Sequence, residues 1–252
     1  MKVLYFTGTG NSLSVAKQFG KQLISIPQMI KNNTYLIEDD IVGLIFPTYF
    51  LGVPPIVKNY LKKSKIKANY TFVITTYGCY AGGSLNEIKK LLDSNDNKAD
   101  YYAKLLMVDN FLPYFDMNSQ LALVKKKNIT YNLDKIISDI NSKKIQDADT
   151  NIFNKILSLL SRIFISGFEK YISKLFHINK DCIGCGVCKT VCPTNNIEQV
   201  DNTVPTYGKK CSACLSCIHN CPQNAIQMRL QRSKARFRNP EVLLDEIIKS
   251  NE

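Results

Sequence analysis

Eight of the nine cysteines of this 252-residue chain lie between positions 182 and 222, as two near-copies of one pattern. Cys182, Cys185, Cys188 and Cys192 are followed by Pro193, and Cys211, Cys214, Cys217 and Cys221 by Pro222. Each copy reads C-x2-C-x2-C-x3-C-P, a run that holds iron–sulfur clusters. Two-residue gaps let a tight loop present three sulfurs to three corners of a [4Fe–4S] cube. The fourth thiolate must come from elsewhere, because so short a loop cannot also reach the far corner. Structural zinc usually takes ligand pairs separated by a longer spacer. A disulfide framework needs an oxidising compartment. Neither suits these spacings.

In two-cluster ferredoxins the fourth Cys of each run ligates the other cluster. That pattern assigns Cys182, Cys185, Cys188 and Cys221 to one cluster and Cys211, Cys214, Cys217 and Cys192 to the other. Pro193 and Pro222 remove a donor and fix φ just after the exchanged ligand, where the chain must turn. Gly184 and Gly186 leave room for the backbone near the cube.

Outside this stretch the chain is long enough for a further domain, and 45% of all residues are hydrophobic. The N-terminus, MKVLYFTGTG, carries no secretory pattern, and no run of 18 apolar residues occurs. The expectation is a cytoplasmic protein with no transmembrane segment, which suits thiolates that must stay reduced. The formal net charge is +12, divided evenly between residues 1–150 and 151–252. A basic surface draws anionic partners. No nucleic-acid-binding module or basic–aromatic interleaving is present, so nucleic acid is not expected. Acidic redox proteins are the better expectation: a ferredoxin, a flavodoxin or a reductase.

Short apolar runs alternate with helical spacing through the first half. Residues 2–6 predict a strand. It ends in Thr7-Gly8-Thr9-Gly10-Asn11-Ser12, after which Leu13, Ala16, Phe19, Gly20 and Leu23 recur at helical intervals. Residues 35–37 predict a second short strand, and the continuous apolar run 41–46 a buried parallel one. Residues 70–75 and 101–108 complete five β-then-α units, the signature of a doubly wound α/β domain. Helices are expected near 55–63, 85–92, 119–126 and 131–144. The domain boundaries expected are 1–146 for the α/β unit, 147–178 for a helical connector, 179–228 for the cluster domain, and 229–252 for a basic tail with a helix starting at Pro240. Residues 152–176 are amphipathic and apolar on one face. Such a helix can lie on a bilayer; burial between two domains is the preferred reading.

Open α/β sheets bind ligands outside the carboxyl ends of their strands. Three loops leave those ends. Thr7–Ser12 offers backbone N–H groups and hydroxyls before a helix, which favours an anion. It is neither G-x-x-x-x-G-K nor G-x-G-x-x-G, and it contains no cation, so neutral donors would hold a phosphomonoester such as that of FMN. A Gly/Ser/Thr turn also serves as a plain helix cap. The second loop brings Pro47, Thr48, Tyr49 and Phe50. The third brings Thr76, Tyr77, Gly78, Cys79, Gly82 and Gly83. Aromatics in both loops, together with the anion loop, fit a flat flavin ring.

Several segments now identify a resemblance. They are YFTGTGNSLSVA at 5–16, FPTYFLGVP at 46–54, TYGCYAGGSL at 76–85, MVDNFLP at 107–113, KDCIGCGVCKTVCPTNNIE at 180–198 and RFRNPE at 236–241. Over nearly its full length the chain resembles the flavodoxin–ferredoxin fusion proteins of anaerobic bacteria and archaea. The resemblance implies a flavodoxin-like five-stranded parallel sheet of order 2-1-3-4-5, followed by a small α+β two-cluster ferredoxin domain. It further implies FMN phosphate held by Thr7, Thr9, Gly10, Asn11 and Ser12, with the ring between the 47–52 and 76–83 loops. Unlike ordinary flavodoxins the chain is basic and has no Trp, which leaves Tyr49, then Tyr77, as stacking partners.

The expected function is electron transfer between two [4Fe–4S] clusters and FMN. No acid–base or nucleophilic constellation appears, and the two His lie away from the flavin loops, so no catalytic residue is assigned. Two alternatives stay open: a flavin-dependent reductase fed by its own clusters, with the aromatic loop 109–116 lining its pocket, and a binding or sensing protein whose clusters are structural.

Overall fold

The computed structural model describes residues 1–20, 22–148, 156, 159, 171–200 and 202–252. Most of the expected helix at 152–176 lies outside these residues. The N-terminal half is a parallel sheet of β1 (Lys2–Tyr5), β2 (Gln22–Ser25), β4 (Ile41–Pro47), β6 (Tyr70–Tyr77) and β7 (Tyr101–Leu106). Its order is β2-β1-β4-β6-β7, and every pairing is parallel. Counted along this sheet the order is 2-1-3-4-5, the flavodoxin-like arrangement.

Both faces of the sheet are covered, as a parallel sheet requires. Successive side chains alternate between them. Leu4, Phe6, Val42, Leu44, Phe46 and Val73 pack beneath α2 (Ile26–Lys31), α3 (Pro55–Leu61) and α4 (Ser84–Asp93). Val3, Tyr5, Ile45, Phe72, Ile74 and Leu105 face the other side, against α1 (Asn11–Ala16) and α6 (Ile129–Asn141). Gly43 makes room for the Phe72 ring: a Cβ there would lie 2.3 Å from it.

The second strand differs from the sequence expectation. β2 is Gln22–Ser25, whereas residues 35–37 overlap β3 (Leu36–Glu38), which pairs with β5 (Lys65–Lys67) in a separate two-stranded sheet. The helix expected through Leu23 ends at Ala16. Helical spacing continued past that point only because Leu23 faces the same core from a strand.

So short an α1 leaves the face of β1 and β2 open. The C-terminus closes it. α9 (Leu244–Lys249) places Ile247, and the segment before it Val242, in the same core as Val3 and Leu13. Tyr5 Oη and Ser250 Oγ are 2.7 Å apart, Ser25 donates to the Ser250 carbonyl, and Lys17 pairs with Glu246 at 2.9 Å. Pro240 does not open this helix. It starts at Leu244, where the Glu246 carboxylate accepts the Leu243 N–H at 2.8 Å.

The cysteine-rich region is an internal repeat. β8 (Phe176–Ile178) pairs antiparallel with β11 (Ile226–Met228), and β9 (Ile197–Glu198) with β10 (Thr206–Tyr207). Each strand of one repeat thus pairs with the other repeat. α7 (Val187–Thr190) and α8 (Ser216–His219) occupy equivalent places. α5 (Met117–Ala122), from the first half, sets Met117 in the core of this region. The two repeats share backbone shape but not residue type. Gly184 and Gly186 have φ of 67° and 76°; their counterparts are Ala213 at 59° and Leu215 at 55°. Left-handed geometry at residues bearing a Cβ costs about 1–3 kcal/mol each and gathers at functional sites.

Candidate functional site

The eight cysteines of the repeat surround two small hollows. Cys182, Cys185, Cys188 and Cys221 line one; Cys192, Cys211, Cys214 and Cys217 line the other. Among the described residues no three His, Cys, Asp or Glu converge as on a single metal ion. Quartets spaced around a hollow fit a cube better than zinc. Cys192 and Cys221 each accept a backbone N–H, from Asn196 and Ala225, both at 3.3 Å. Such bonds to sulfur favour the reduced, more negative cluster. Burial pushes the Cys214 thiol up to about 12 and Cys188 to about 11. Iron must displace those protons on binding. Gly184 and Gly186 line the first hollow, as expected, and a Cβ on Gly184 would also lie 2.3 Å from the Asn202 carbonyl oxygen.

A cavity of about 550 Å³ opens at the carboxyl ends of the sheet strands, within the range of cofactor sites. Thr7, Gly8, Thr9, Asn11 and Ser12 line it, as do Pro47, Thr48, Tyr49 and Phe50, and Thr76, Tyr77, Gly78 and Cys79. Three residues expected there do not. Gly10 turns away, and a Cβ on it would meet Asn239 and Val242 at 3.0 Å. Gly82 packs on the Leu51 backbone, and Gly83 donates to the Leu51 carbonyl at 2.9 Å. These glycines shape the loops and do not touch the cavity.

The floor is polar. Gly8, Thr9 and Asn11 are buried, yet their backbone N–H groups find no acceptor among the described residues. With the hydroxyls of Thr7, Thr9 and Ser12 they form a nest that fits a phosphate. The mouth is aromatic. The Phe50 and Phe111 rings meet edge-on at 5.3 Å, and Phe111 stacks on Tyr114 at 5.8 Å. Phe50 and Leu51 both have positive φ, 47° and 64°, in a tight turn closed by two Tyr49–Gly52 hydrogen bonds of 2.9 Å. Polar floor and apolar mouth together suit FMN.

Glu87 fixes this turn from below. It is 3% exposed, pairs with Lys58 at 2.7 Å and accepts the Val53 N–H at 2.8 Å. Glu87→Ala should cost about 1–3 kcal/mol by leaving the buried Val53 N–H without its acceptor. Thermal melting checks this; a shift within error would show that Glu87 does not hold the turn.

The cluster region forms one wall of the cavity. Ala213, Cys214 and Leu215 line it, the loop that carries the two strained residues. A Cβ on Gly8 would lie 2.7 Å from the Cys214 carbonyl oxygen. Tyr49 fills the junction, its ring edge-on to Phe6 at 6.0 Å. Burial, and then the nearby Cys214 and Cys211 sulfurs, raise its hydroxyl well above the ordinary tyrosine value.

A closed ring of hydrogen bonds holds the junction. His219 Nε2 meets the Asn110 carbonyl at 2.8 Å, and its Nδ1 accepts the Phe237 N–H at 3.1 Å. Asn110 Nδ2 donates to Thr9 Oγ1 at 2.5 Å, and the Thr9 carbonyl accepts the Asn239 N–H at 2.8 Å. Burial pushes His219 down to about 4, so it is neutral with its proton on Nε2. His219 is therefore a buried bridge. The aromatic loop 109–116 lines the cavity through Asp109, Asn110, Phe111, Tyr114 and Phe115; the 236–241 segment carried no chemical signal by itself, and Phe237 and Asn239 bring it to the site.

Residues 174–222 match the 4Fe-4S dicluster domain family. A subunit of the ion-translocating oxidoreductase complex of Methanosarcina acetivorans is 40% identical over 48 residues, covering 19% of this chain and 18% of that relative. The match thus spans under a fifth of the relative's length. A solved rubredoxin oxygen:oxidoreductase from Desulfovibrio gigas is similar at TM-score 0.30 and 14% identity, over 53% of this chain and 36% of that one; so low a score carries no argument. No helix among the described residues is long and apolar enough to cross a membrane.

Proposed function

We propose that this chain is an electron-transfer protein that moves electrons between two [4Fe–4S] clusters and an FMN in the strand-end cavity. The observation that carries this reading is the place of Cys214, which belongs to the second sulfur quartet and also lines the cavity. When bound, the flavin takes or gives electrons singly or in pairs, whereas the clusters pass them singly. The protein binds and orients the two. The N–H nest and the hydroxyls of Thr7, Thr9 and Ser12 hold the phosphate. Tyr49, Tyr77 and Phe50 bound the ring, and Gly8 lets the cluster loop approach. The net charge of +12 favours acidic redox partners, whose association should slow steeply with salt. A reducing compartment such as the cytoplasm keeps the thiolates available.

The test is cofactor analysis of anaerobically purified protein. A yellow chromophore released by acid should be FMN. Thr9→Asp with Ser12→Asp should abolish it while leaving iron content unchanged, because carboxylates then face the phosphate. Full flavin occupancy in that variant would overturn the phosphate-loop assignment. The aromatic array of Phe50, Phe111 and Tyr114 favours a second reading, a reductase of a quinone, nitro compound or enone. Steady turnover with a low-potential donor would support it.

A further inference from the structure

The cavity holds a single carboxyl group among its described lining residues, Asp109, and no Lys, Arg or His. Asp109 follows β7, directly behind the flavin-facing loop. A Cβ on Gly78 would lie 2.2 Å from the Asp109 Cβ, so glycine at 78 is what admits the side chain. Oδ1 accepts the Phe111 N–H at 3.1 Å, and the Asp109 N–H donates to Gln120 Oε1 at 3.3 Å. Lys127 stands behind, donating to the carbonyls of Gly78 at 3.0 Å and Met107 at 2.6 Å and to Gln120 at 3.1 Å. Its ammonium ties the loop after β6 to the loop after β7. Burial raises Asp109 above the ordinary carboxylate value, against the pull of the Phe111 N–H and of Lys127. Burial lowers Lys127, against the pull of Asp109 and Cys79.

We infer that Asp109 is the proton donor of the cavity, giving its proton to the bound flavin as an electron arrives. This rests on the proposed FMN site. The step balances as follows. An external one-electron donor is oxidised and its electron travels through the clusters. With flavin bound, the Asp109 O–H bond would break as an N–H bond formed on the ring, and the carboxylate left behind would keep the Phe111 N–H and the attraction of the Lys127 charge nearby. Asp109 then regains a proton from solvent at the mouth beside Tyr114, which is 70% exposed. The other titratable groups around it are Tyr77, Cys79 and Tyr80 from the loop after β6, Tyr114 from its own loop, and Cys214 across the cavity. Of these and Lys127, only Asp109 is a carboxylic acid, and burial sets it to hold its proton at higher pH than a solvated one. A group of this kind contributes about 10²–10⁴-fold to a proton-coupled step.

The test compares wild-type protein with Asp109→Asn and Asp109→Glu after FMN and iron content are measured. Flash-initiated reduction of the flavin through the clusters should slow at least about 10²-fold in Asp109→Asn, with Asp109→Glu recovering most of the rate. The solvent isotope effect of wild-type reduction should change in the asparagine variant, whereas the pH dependence of the flavin potential, an equilibrium quantity, should stay. A reduced-minus-oxidised infrared spectrum of the wild type should show loss of a protonated carboxyl band that shifts with isotope-labelled aspartate. That measurement decides the matter if Asp109→Asn fails to retain flavin. Flavin present with no such band, or with wild-type rates in Asp109→Asn, overturns Asp109 as donor and leaves the cofactor site standing. Absence of FMN from the wild type overturns both.

Discussion

Cys214→Ser is expected to halve the iron, from about eight to about four per chain, and to stop electron exchange between the clusters and the flavin. Flavin content should be unchanged, because no phosphate-holding group is touched. The argument is spatial. The second quartet, Cys192, Cys211, Cys214 and Cys217, belongs to the loop that walls the cavity; the first quartet has no member there. Removing a ligand of the nearer cluster therefore breaks the last link to the flavin. Removing one from the other, as in Cys182→Ser, should leave exchange between the nearer cluster and the flavin intact after flash reduction. Iron analysis, cluster EPR and flash kinetics on both variants separate the two roles. Wild-type exchange in Cys214→Ser, or equal loss in both, would show that electrons do not pass at this junction.

The strain at Ala213 and Leu215 bears on the same junction. In the first repeat, Gly184 and Gly186 meet the positive φ without a penalty. In the second, the Cβ-bearing residues line the cavity, and Leu215 is 3% exposed within the cluster-region core. The contact area made by those side chains offsets the backbone cost. Glycine there would relax the loop and leave a gap in the wall.

The cluster region and the strand-end cavity were legible in the sequence because their signals are local. Cysteine spacing gave two runs of four, the two-cluster ferredoxin pattern exchanged their fourth members, and the hollows hold those two exchanged sets. The doubly wound class followed from β–α alternation, and the sheet order from the resemblance. What could not be read depends on distant partners. Leu23 matched a helix because the core it faces is shared by helix and strand. The place of α9 depends on contacts such as Tyr5 with Ser250, 245 residues apart. Asp109 has no motif; its meaning comes from Gly78 and Lys127, which only the folded chain brings beside it. His219 carries no such signal in the sequence either; Asn110 and Phe237 meet its ring only in the folded chain.

Truncation after Asn239 should prevent the chain from folding stably, and Ile247→Ala should lower the melting temperature on the order of 10 °C. Ile247 is fully buried and Val242 is 2% exposed. Burying two such side chains is worth about 1.5–3 kcal/mol each. The hydrogen bonds of Ser250 and Asn251 to β1, β2, α2 and the Val191 carbonyl add about 0.5–1.5 kcal/mol apiece. That sum rivals the 5–15 kcal/mol of a typical domain. The single substitution removes about 2–5 kcal/mol, and each kcal/mol moves the midpoint of a chain this size by about 2–4 °C. The tail also bridges the two halves: Asn239 donates to Thr9 in the phosphate loop, and Asn251 to Val191 beside Cys192. Flavin fluorescence and cluster absorbance should therefore change together on heating Ile247→Ala. If the clusters are lost with the flavin still bound, or the midpoint does not move, the tail is not the clamp that these contacts imply. A basic, polar-looking terminus would then be only an appendage, and α1 alone would have to protect the open face of β1 and β2, which its six residues are too few to cover.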